Sequence, residues 1–285
     1  MVKESNDNAL FCTEQCNNHC IMCCQPPKKV DDIDFLYQQN LKIIDEAPDG
    51  LPVIGLTGGE PTLMGDKLFS LIDYIRDKFP ETTLHILSNG RRFSNQRYVK
   101  QLVEHAGKNM FIGVPLHSDY AKDHDIIAGV KGAYNETMLG MYNLAEEGVD
   151  IELRIVINAI NYMRLPQMAE FIYKNLSFVE WTAFMAMEHI GFARDNFKKI
   201  WIEPKDYVEE LSKAVYALNS WDLPVSIYNI PLCLLPELLH PFAEQSISDW
   251  KTKYFCMCDE CMLKDKCCGL FATSEHIFKG LHKLS

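Results

Sequence analysis

All eleven cysteines of this chain lie towards its two ends. Five fall between Cys12 and Cys24, five between Cys256 and Cys268, Cys233 stands alone, and positions 25–232 hold none. Thiols serving as small core residues would scatter through the 285 residues. A small secreted disulfide scaffold would distribute them along a short chain. The pattern predicts two local thiolate sites separated by a long stretch that must fold on hydrophobic burial. A chain of this size can bury roughly three quarters of its unfolded surface, so a real core is available.

The stretch between the cysteine windows alternates between two hydrophobic periods. Short apolar or β-branched runs at 51–57, 83–87, 110–116, 151–158, 178–187 and 225–228 read as strands. Helical spacing occupies 67–79, 96–105, 134–147, 165–175 and 204–220, with Gly148 placed to end the third of these. Such alternation implies βαβ units and a mostly parallel sheet. About six repeats are too few for a closed eight-stranded barrel. The fold expected is α/β, a partial (βα)6 barrel spanning residues 1–219. A small cysteine-rich extension is expected at 220–285, where prolines, Cys233 and the second cysteine window appear.

Charge narrows the partners. Lys plus Arg is 28 and Asp plus Glu is 39, a formal net charge of -11. Phosphate backbones are repelled by such a chain, which argues against broad nucleic-acid binding. Residues 1–8 lack the apolar core of a signal peptide, and no run of about 18 apolar residues suggests a membrane span. The cytoplasm is the expected compartment.

In the first window, Cys16, Cys20 and Cys23 form a C-x3-C-x2-C triad. Three thiolates on one loop can hold three irons of a cubane [4Fe-4S] cluster and leave the fourth iron open, whereas four would close it. Buried thiols or a zinc knuckle are the bland alternatives, but zinc usually draws paired C-x2-4-C elements from two places. Cys12, beside Leu10 and Phe11, is expected in the core, and Cys24 as a bystander. Downstream, Gly58-Gly59-Glu60-Pro61 ends a predicted strand. Its glycines permit close backbone approach, and Glu60 supplies a carboxylate.

The triad followed by Gly58-Gly59-Glu60-Pro61 resembles the radical S-adenosylmethionine (SAM) superfamily. The resemblance implies a SAM-binding [4Fe-4S] cluster held by Cys16, Cys20 and Cys23, with Glu60 taking the methionine ammonium. It points to Ser88 and Asn89, at the end of the next strand, as cofactor contacts. Ser118 with Asp119 could reach the ribose or form an ordinary polar turn. Arg154 could contact the cofactor or be a plain strand arginine. His124-Asp125 and Gly129 match a loop expected to be structural. Met22 stands where the family often has an aromatic residue.

In the second window, Cys258-x2-Cys261 is followed after five residues by Cys267, with Cys233 upstream. Four thiolates suit either an auxiliary [4Fe-4S] cluster, as in the SPASM or twitch extensions of the superfamily, or structural zinc. Cys256 and Cys268 are alternative ligands. The order of features is most similar to the radical SAM maturases of the His-Xaa-Ser peptide system. That likeness is carried by segments such as His85-Ile86-Leu87-Ser88-Asn89-Gly90-Arg91, Leu232-Cys233-Leu234-Leu235-Pro236 and Ser246-Ile247-Ser248-Asp249-Trp250-Lys251.

The activity so implied is one-electron cleavage of SAM to a 5'-deoxyadenosyl radical, which takes hydrogen from a ribosomally made peptide. A small-molecule or nucleotide substrate is the alternative, and a non-catalytic iron–sulfur or zinc protein the third reading. The resemblance also implies an electron donor such as flavodoxin or ferredoxin. Because the triad is complete by Cys23, a separate peptide-recognition protein or direct docking is expected.

Overall fold

The structure, a computed structural model, describes residues 1–3, 5, 7–247, 251–273 and 278–284. Of the segment 246–251 noted above, Ser248, Asp249 and Trp250 lie outside the described residues.

In chain order the first half carries β1 (Ala9–Phe11), α1 (Ile33–Asp45), β2 (Val53–Thr57), α2 (Asp66–Lys78), β3 (Thr83–Leu87) and α3 (Gln96–Ala106). It continues through β4 (Met110–Pro115), α4 (Ala121–Ala128), α5 (Ala133–Glu146) and β5 (Asp150–Val156). The second half carries α6 (Leu165–Asn175), β6 (Trp181–Met185), the short α7 (Phe192–Asp195) and α8 (Phe197–Ile200), α9 (Pro204–Ser220) and β7 (Val225–Tyr228). Two-residue strands follow: β8 (Ala243–Glu244), β9 (Thr252–Lys253) and β10 (Leu270–Phe271). Strands β1 to β8 form one sheet in chain order, and β9 pairs with β10. This is the parallel, helix-alternating α/β architecture expected. The six expected strands are β2 to β7, and the sheet gains short strands at both ends.

Contacts divide the chain into two compact units. One comprises Met1–His19, Gln25–Pro115 and Gly129–Glu152; the other comprises Cys20–Cys24, Leu116–Ala128 and Leu153–Ser285. In the first, β1 to β4 pair in parallel, with Leu10 opposite Leu56 and Gly55 opposite His85. Alternation sorts each strand into two faces. Leu10, Ile54, Leu56, Leu84, Ile86, Ile112 and Val114 are fully buried. The buried stripes of α2 (Leu68, Leu71, Ile72, Ile75) and α3 (Val99, Leu102) recur at helical spacing and are the ones available to cover that face. The opposite phase holds His85, stacked on Phe111 with ring centroids 4.0 Å apart and 3.0 Å from the buried Glu152 carboxylate. In the second unit, β6, β7 and β8 pair in parallel. Its core draws on Leu165, Met168, Ala169 and Ile172 of α6 and on Leu211, Ala214, Val215 and Leu218 of α9. Among the described residues no helix is long and apolar enough to cross a membrane.

Candidate functional site

In the first unit, the pairing of β1 with β2 runs on beyond both strands. The Cys12 amide donates to Thr57 O at 2.7 Å, the Gly59 amide to Thr13 O at 2.6 Å and the Glu60 amide to Gln15 O at 2.8 Å. The chain leading to Cys16 therefore lies against Gly58-Gly59-Glu60. A Cβ on Gly58 would sit 2.5 Å from Thr13 O, and one on Gly59 2.0 Å from Gln15 O. Only glycine admits that approach, and Gly58 also holds a positive φ of 140°. Gly59→Ala will destabilise the metal-free chain by about 3 kcal/mol, as overpacking against backbone does, with a matching fall in the denaturant midpoint. Cys12 is fully buried here, and burial pushes its thiol up to about 12.

Asp32, at the start of α1, fastens the same segment. Its carboxylate accepts from Thr13 Oγ1 at 2.7 Å and from the Glu14 amide at 2.6 Å. Glu60 has no exposed surface. One of its oxygens accepts from the Thr62 amide (3.1 Å), Thr62 Oγ1 (2.7 Å) and Ser88 Oγ (2.8 Å), and the other from the Asn89 amide (2.7 Å). Burial raises its carboxyl, and these donors pull it back. Four donors on a buried carboxylate hold the end of β2 to the end of β3.

Asn89 carries the network to the first cysteine. Its side-chain amide donates to Asn17 Oδ1 at 2.6 Å and lies 3.9 Å from Cys16 Sγ, which also accepts from the Asn18 amide at 3.4 Å. Arg91 donates to Asn17 O (2.7 Å), Asn18 Oδ1 (2.9 Å) and Glu136 (2.5 Å). Burial raises the Cys16 thiol, while the Asn18 and Asn89 donors and the Arg91 charge oppose that rise. At His19, a Cβ on Gly129 would meet the carbonyl oxygen at 2.3 Å, so this glycine supports the loop sterically.

The second unit holds the other end of the cysteine loop. Ile21 donates to Ile127 O at 2.9 Å, Cys23 O accepts from the Phe192 amide at 2.9 Å, and Ile21 O accepts from Asn196 Nδ2 at 3.0 Å. Met22 packs with Ile127, Met187, Ala193 and Ile200. Cys20 Sγ lies 3.9 Å from Nε2 of His117, whose side chain is almost fully buried. Ser118, also buried, accepts from the Tyr120 amide at 3.1 Å. Asp119 forms a two-pronged pair with Arg164 at 2.8 and 2.6 Å. Arg154, half-buried in β5, accepts the Leu116 amide through its carbonyl at 3.0 Å. Cys24 is exposed.

The structure thus brings Gly58, Gly59, Glu60, Ser88, Asn89 and Cys16 together in one unit, and Cys20, Cys23, Ser118 and Arg154 into the other. Asp32, Arg91 and His117 escape the sequence reading. Each meets the cysteine loop from 17 to 97 residues away, and no local spacing announces such a contact.

The second cysteine window surrounds a cavity within the second unit. Cys233, Cys258, Cys261 and Cys267 line it together with Pro231, Leu232, Phe255, Leu263 and Leu270. Three sulfur contacts come from backbone amides at 3.4 Å: Leu232 and Gly269 to Cys267, and Leu284 to Cys261. The Cys267 thiol is lowered to about 6 by the Cys268 thiol first, then by the two amides and His240. Cys268 itself packs with Ile247 and Phe271, and Cys256 is exposed. Among the described residues no three Cys, His, Asp or Glu side chains converge as one ion would require. Four thiols around an apolar cavity, two of them already receiving amide hydrogen bonds, form a donor set that suits an iron–sulfur cluster.

The radical SAM superfamily matches residues 10–172. Fe-coproporphyrin III synthase of Methanosarcina barkeri is 30% identical over 162 residues, covering 56% of this chain and 39% of that protein. The sporulation killing factor maturation protein SkfB of Bacillus subtilis is 24% identical over 201 residues, covering 69% of this chain and 46% of that protein. The chain therefore spans less than half the length of either relative. Among solved structures, Streptococcus suis SuiB bound to S-adenosylmethionine superposes with a TM-score of 0.63 at 13% identity, over 90% of this chain and 56% of that one. Native anSMEcpe with bound AdoMet and Cp18Cys peptide also gives 0.63, at 14% identity, over 96% and 91%. These two share the fold. Because the family match extends over more than half of the sequence and begins inside β1, this chain belongs to the radical SAM superfamily.

Proposed function

We propose that this radical SAM enzyme modifies a ribosomally made peptide, with Cys16, Cys20 and Cys23 holding the SAM-binding [4Fe-4S] cluster. When bound, the cluster and SAM supply a reducing electron, a cleaved carbon–sulfur bond and a carbon radical strong enough to take hydrogen from an unactivated position. The chain's own residues bind and orient. Asn89 and the Asn18 amide hydrogen-bond the Cys16 sulfur, while Glu60 holds Ser88 and Asn89 in place. Gly58, Gly59, Ser88 and Asn89 are assigned to the methionine part of SAM, with the buried Glu60 acting there through Ser88 and Asn89, and Ser118 and Arg154 to the remainder of the cofactor. Placing the target carbon close to the radical and excluding water are the protein's main contributions to rate.

One observation carries the peptide reading: Cys233, Cys258, Cys261 and Cys267 line a single cavity in the region after β7. We assign residues 1–219 to the radical core and 220–285 to an extension of the SPASM or twitch kind, carrying an auxiliary [4Fe-4S] cluster. A single zinc needs its thiolates about 2.3 Å from one centre; thiols spread around a cavity favour the larger group. The match to SkfB supports the same substrate class.

A second reading has its own support. The relatives also include AdoMet-dependent heme synthase of Nitratidesulfovibrio vulgaris, 28% identical over 156 residues, besides the Fe-coproporphyrin III synthase already described. A small molecule of the tetrapyrrole class is then the alternative substrate.

Anaerobic incubation with SAM, a reductant and either short peptides encoded beside the gene or Fe-coproporphyrin III separates the two. Formation of 5'-deoxyadenosine together with a mass change in the peptide is expected. A mass change in the tetrapyrrole alone would replace the peptide reading by the second.

A further inference from the structure

We infer that His117 is a positioning residue for the cysteine loop, donating a hydrogen bond from Nε2–H to the Cys20 sulfur and thereby easing reduction of the group that this sulfur holds. The inference rests on the assignment of Cys20 as a cluster ligand.

His117 lies two residues past the end of β4 and is held on three sides within the second unit. Its backbone amide donates to His124 Nδ1 at 3.2 Å, and its carbonyl accepts from Asn161 Nδ2 at 2.9 Å. The two imidazole rings lie 5.0 Å apart. This leaves the His117 ring with Nε2 at 3.9 Å from Cys20 Sγ, and with Nδ1 buried and lacking a hydrogen-bond partner among the described residues.

The unpartnered Nδ1 decides the tautomer. If the proton sat on Nδ1, a buried N–H would have no acceptor, and orphaned buried donors are rarer than under-used acceptors. Nε2 would then have to accept from a protonated thiol, which an iron-bound cysteine does not have. With the proton on Nε2, the ring donates to sulfur and buries only a bare lone pair. A second proton on Nδ1 would leave the same orphaned donor, so the ring offers a single N–H, on Nε2.

A donor to a ligand sulfur favours the cluster state with more negative charge, which is the reduced one. Hydrogen bonds to the sulfurs are among the recognised controls of cluster potential. Cys16 receives comparable contacts from Asn18 and Asn89, so His117 extends to Cys20 what those residues do at Cys16. The sequence placed no chemistry on His117, because its partner lies 97 positions earlier.

The test uses the full chain, reconstituted anaerobically with iron and sulfide. Electron paramagnetic resonance reads the reduced signal that changes when SAM is added. In His117→Leu, the ratio of reduced to oxidised cluster at a fixed solution potential should fall roughly tenfold, which is 59 mV for one electron. His117→Gln, whose side-chain amide can reach the Nε2 position, should stay within about twofold of wild type. An unchanged ratio in His117→Leu, or a loss in His117→Gln as large as in His117→Leu, would overturn the inference. Should His117→Leu lose its iron, the glutamine variant decides: retained iron at the wild-type ratio supports donation, and lost iron opposes it. Failure of the wild-type chain to form any SAM-responsive signal would instead remove the cluster assignment itself, and the inference with it.

Discussion

Replacing Cys16, Cys20 and Cys23 together by alanine will abolish 5'-deoxyadenosine formation and remove about half of the iron from a chain that otherwise binds roughly eight atoms, four per cubane. The reason is the number of ligands. In the proposed site these three thiolates would be the protein's whole share of the cluster ligands, and no other cysteine stands ready to take their place. Cys12 is sealed in the core, with its thiol raised to about 12. Cys24 is exposed and outside the C-x3-C-x2-C spacing. Glu60, Ser88 and Asn89 should survive the substitution, because their mutual hydrogen bonds do not involve sulfur. Loss of product should therefore occur in a folded protein, with the far-ultraviolet circular dichroism of wild type. Product formation by the triple variant would refute the assignment of these cysteines.

Replacing Cys258 and Cys261 by alanine will remove the other half of the iron while leaving SAM cleavage measurable. It should also loosen the region around them. That region has strands of two residues and 3-10 turns at Leu232–Leu234, Cys256–Glu260 and Lys264–Lys266. Segments this short bury too little apolar surface to hold themselves, and small modules of the kind normally depend on a metal or cross-link. Binding free energy at such a site is folding free energy. Limited proteolysis should accordingly cut the variant within 233–284 at least tenfold faster than wild type, a factor of about 1.4 kcal/mol in local opening. Iron unchanged, with zinc lost from the variant, would make the second site a structural zinc site.

The six central strands and five of the six long helices were readable because each displays its period over a long enough run; α1, although 13 residues long, buries only Asn40 and Ile44 and shows no apolar stripe to read. Leu165–Asn175 and Pro204–Ser220 even match the expected limits residue for residue. Strands β1 and β8, of three and two residues, show no period at all. They exist because a neighbouring strand supplies their hydrogen bonds, as Thr57 does for Cys12. Helix α4 and the four-residue α7 and α8 were likewise invisible to a pattern search.

The amino-acid sequence by itself determined the chemistry. Residue type and local spacing identify the thiolate triad, the Gly58-Gly59-Glu60 segment and the second cysteine window, since ligand number and softness are properties of side chains. Tertiary structure alone decided how those parts are supported. The space left by the missing side chains of Gly58 and Gly59 is taken by Thr13 O and Gln15 O. Glu60 spends its lone pairs on Thr62, Ser88 and Asn89. Among the eleven cysteines, four line one cavity while Cys12 and Cys268 are buried in core. Asp32, Arg91 and His117 reach the loop from other elements of the chain. Such contacts depend on where strand and helix ends come to lie after the apolar faces have packed, and hydrophobic periodicity records which face is buried but not which polar groups then meet.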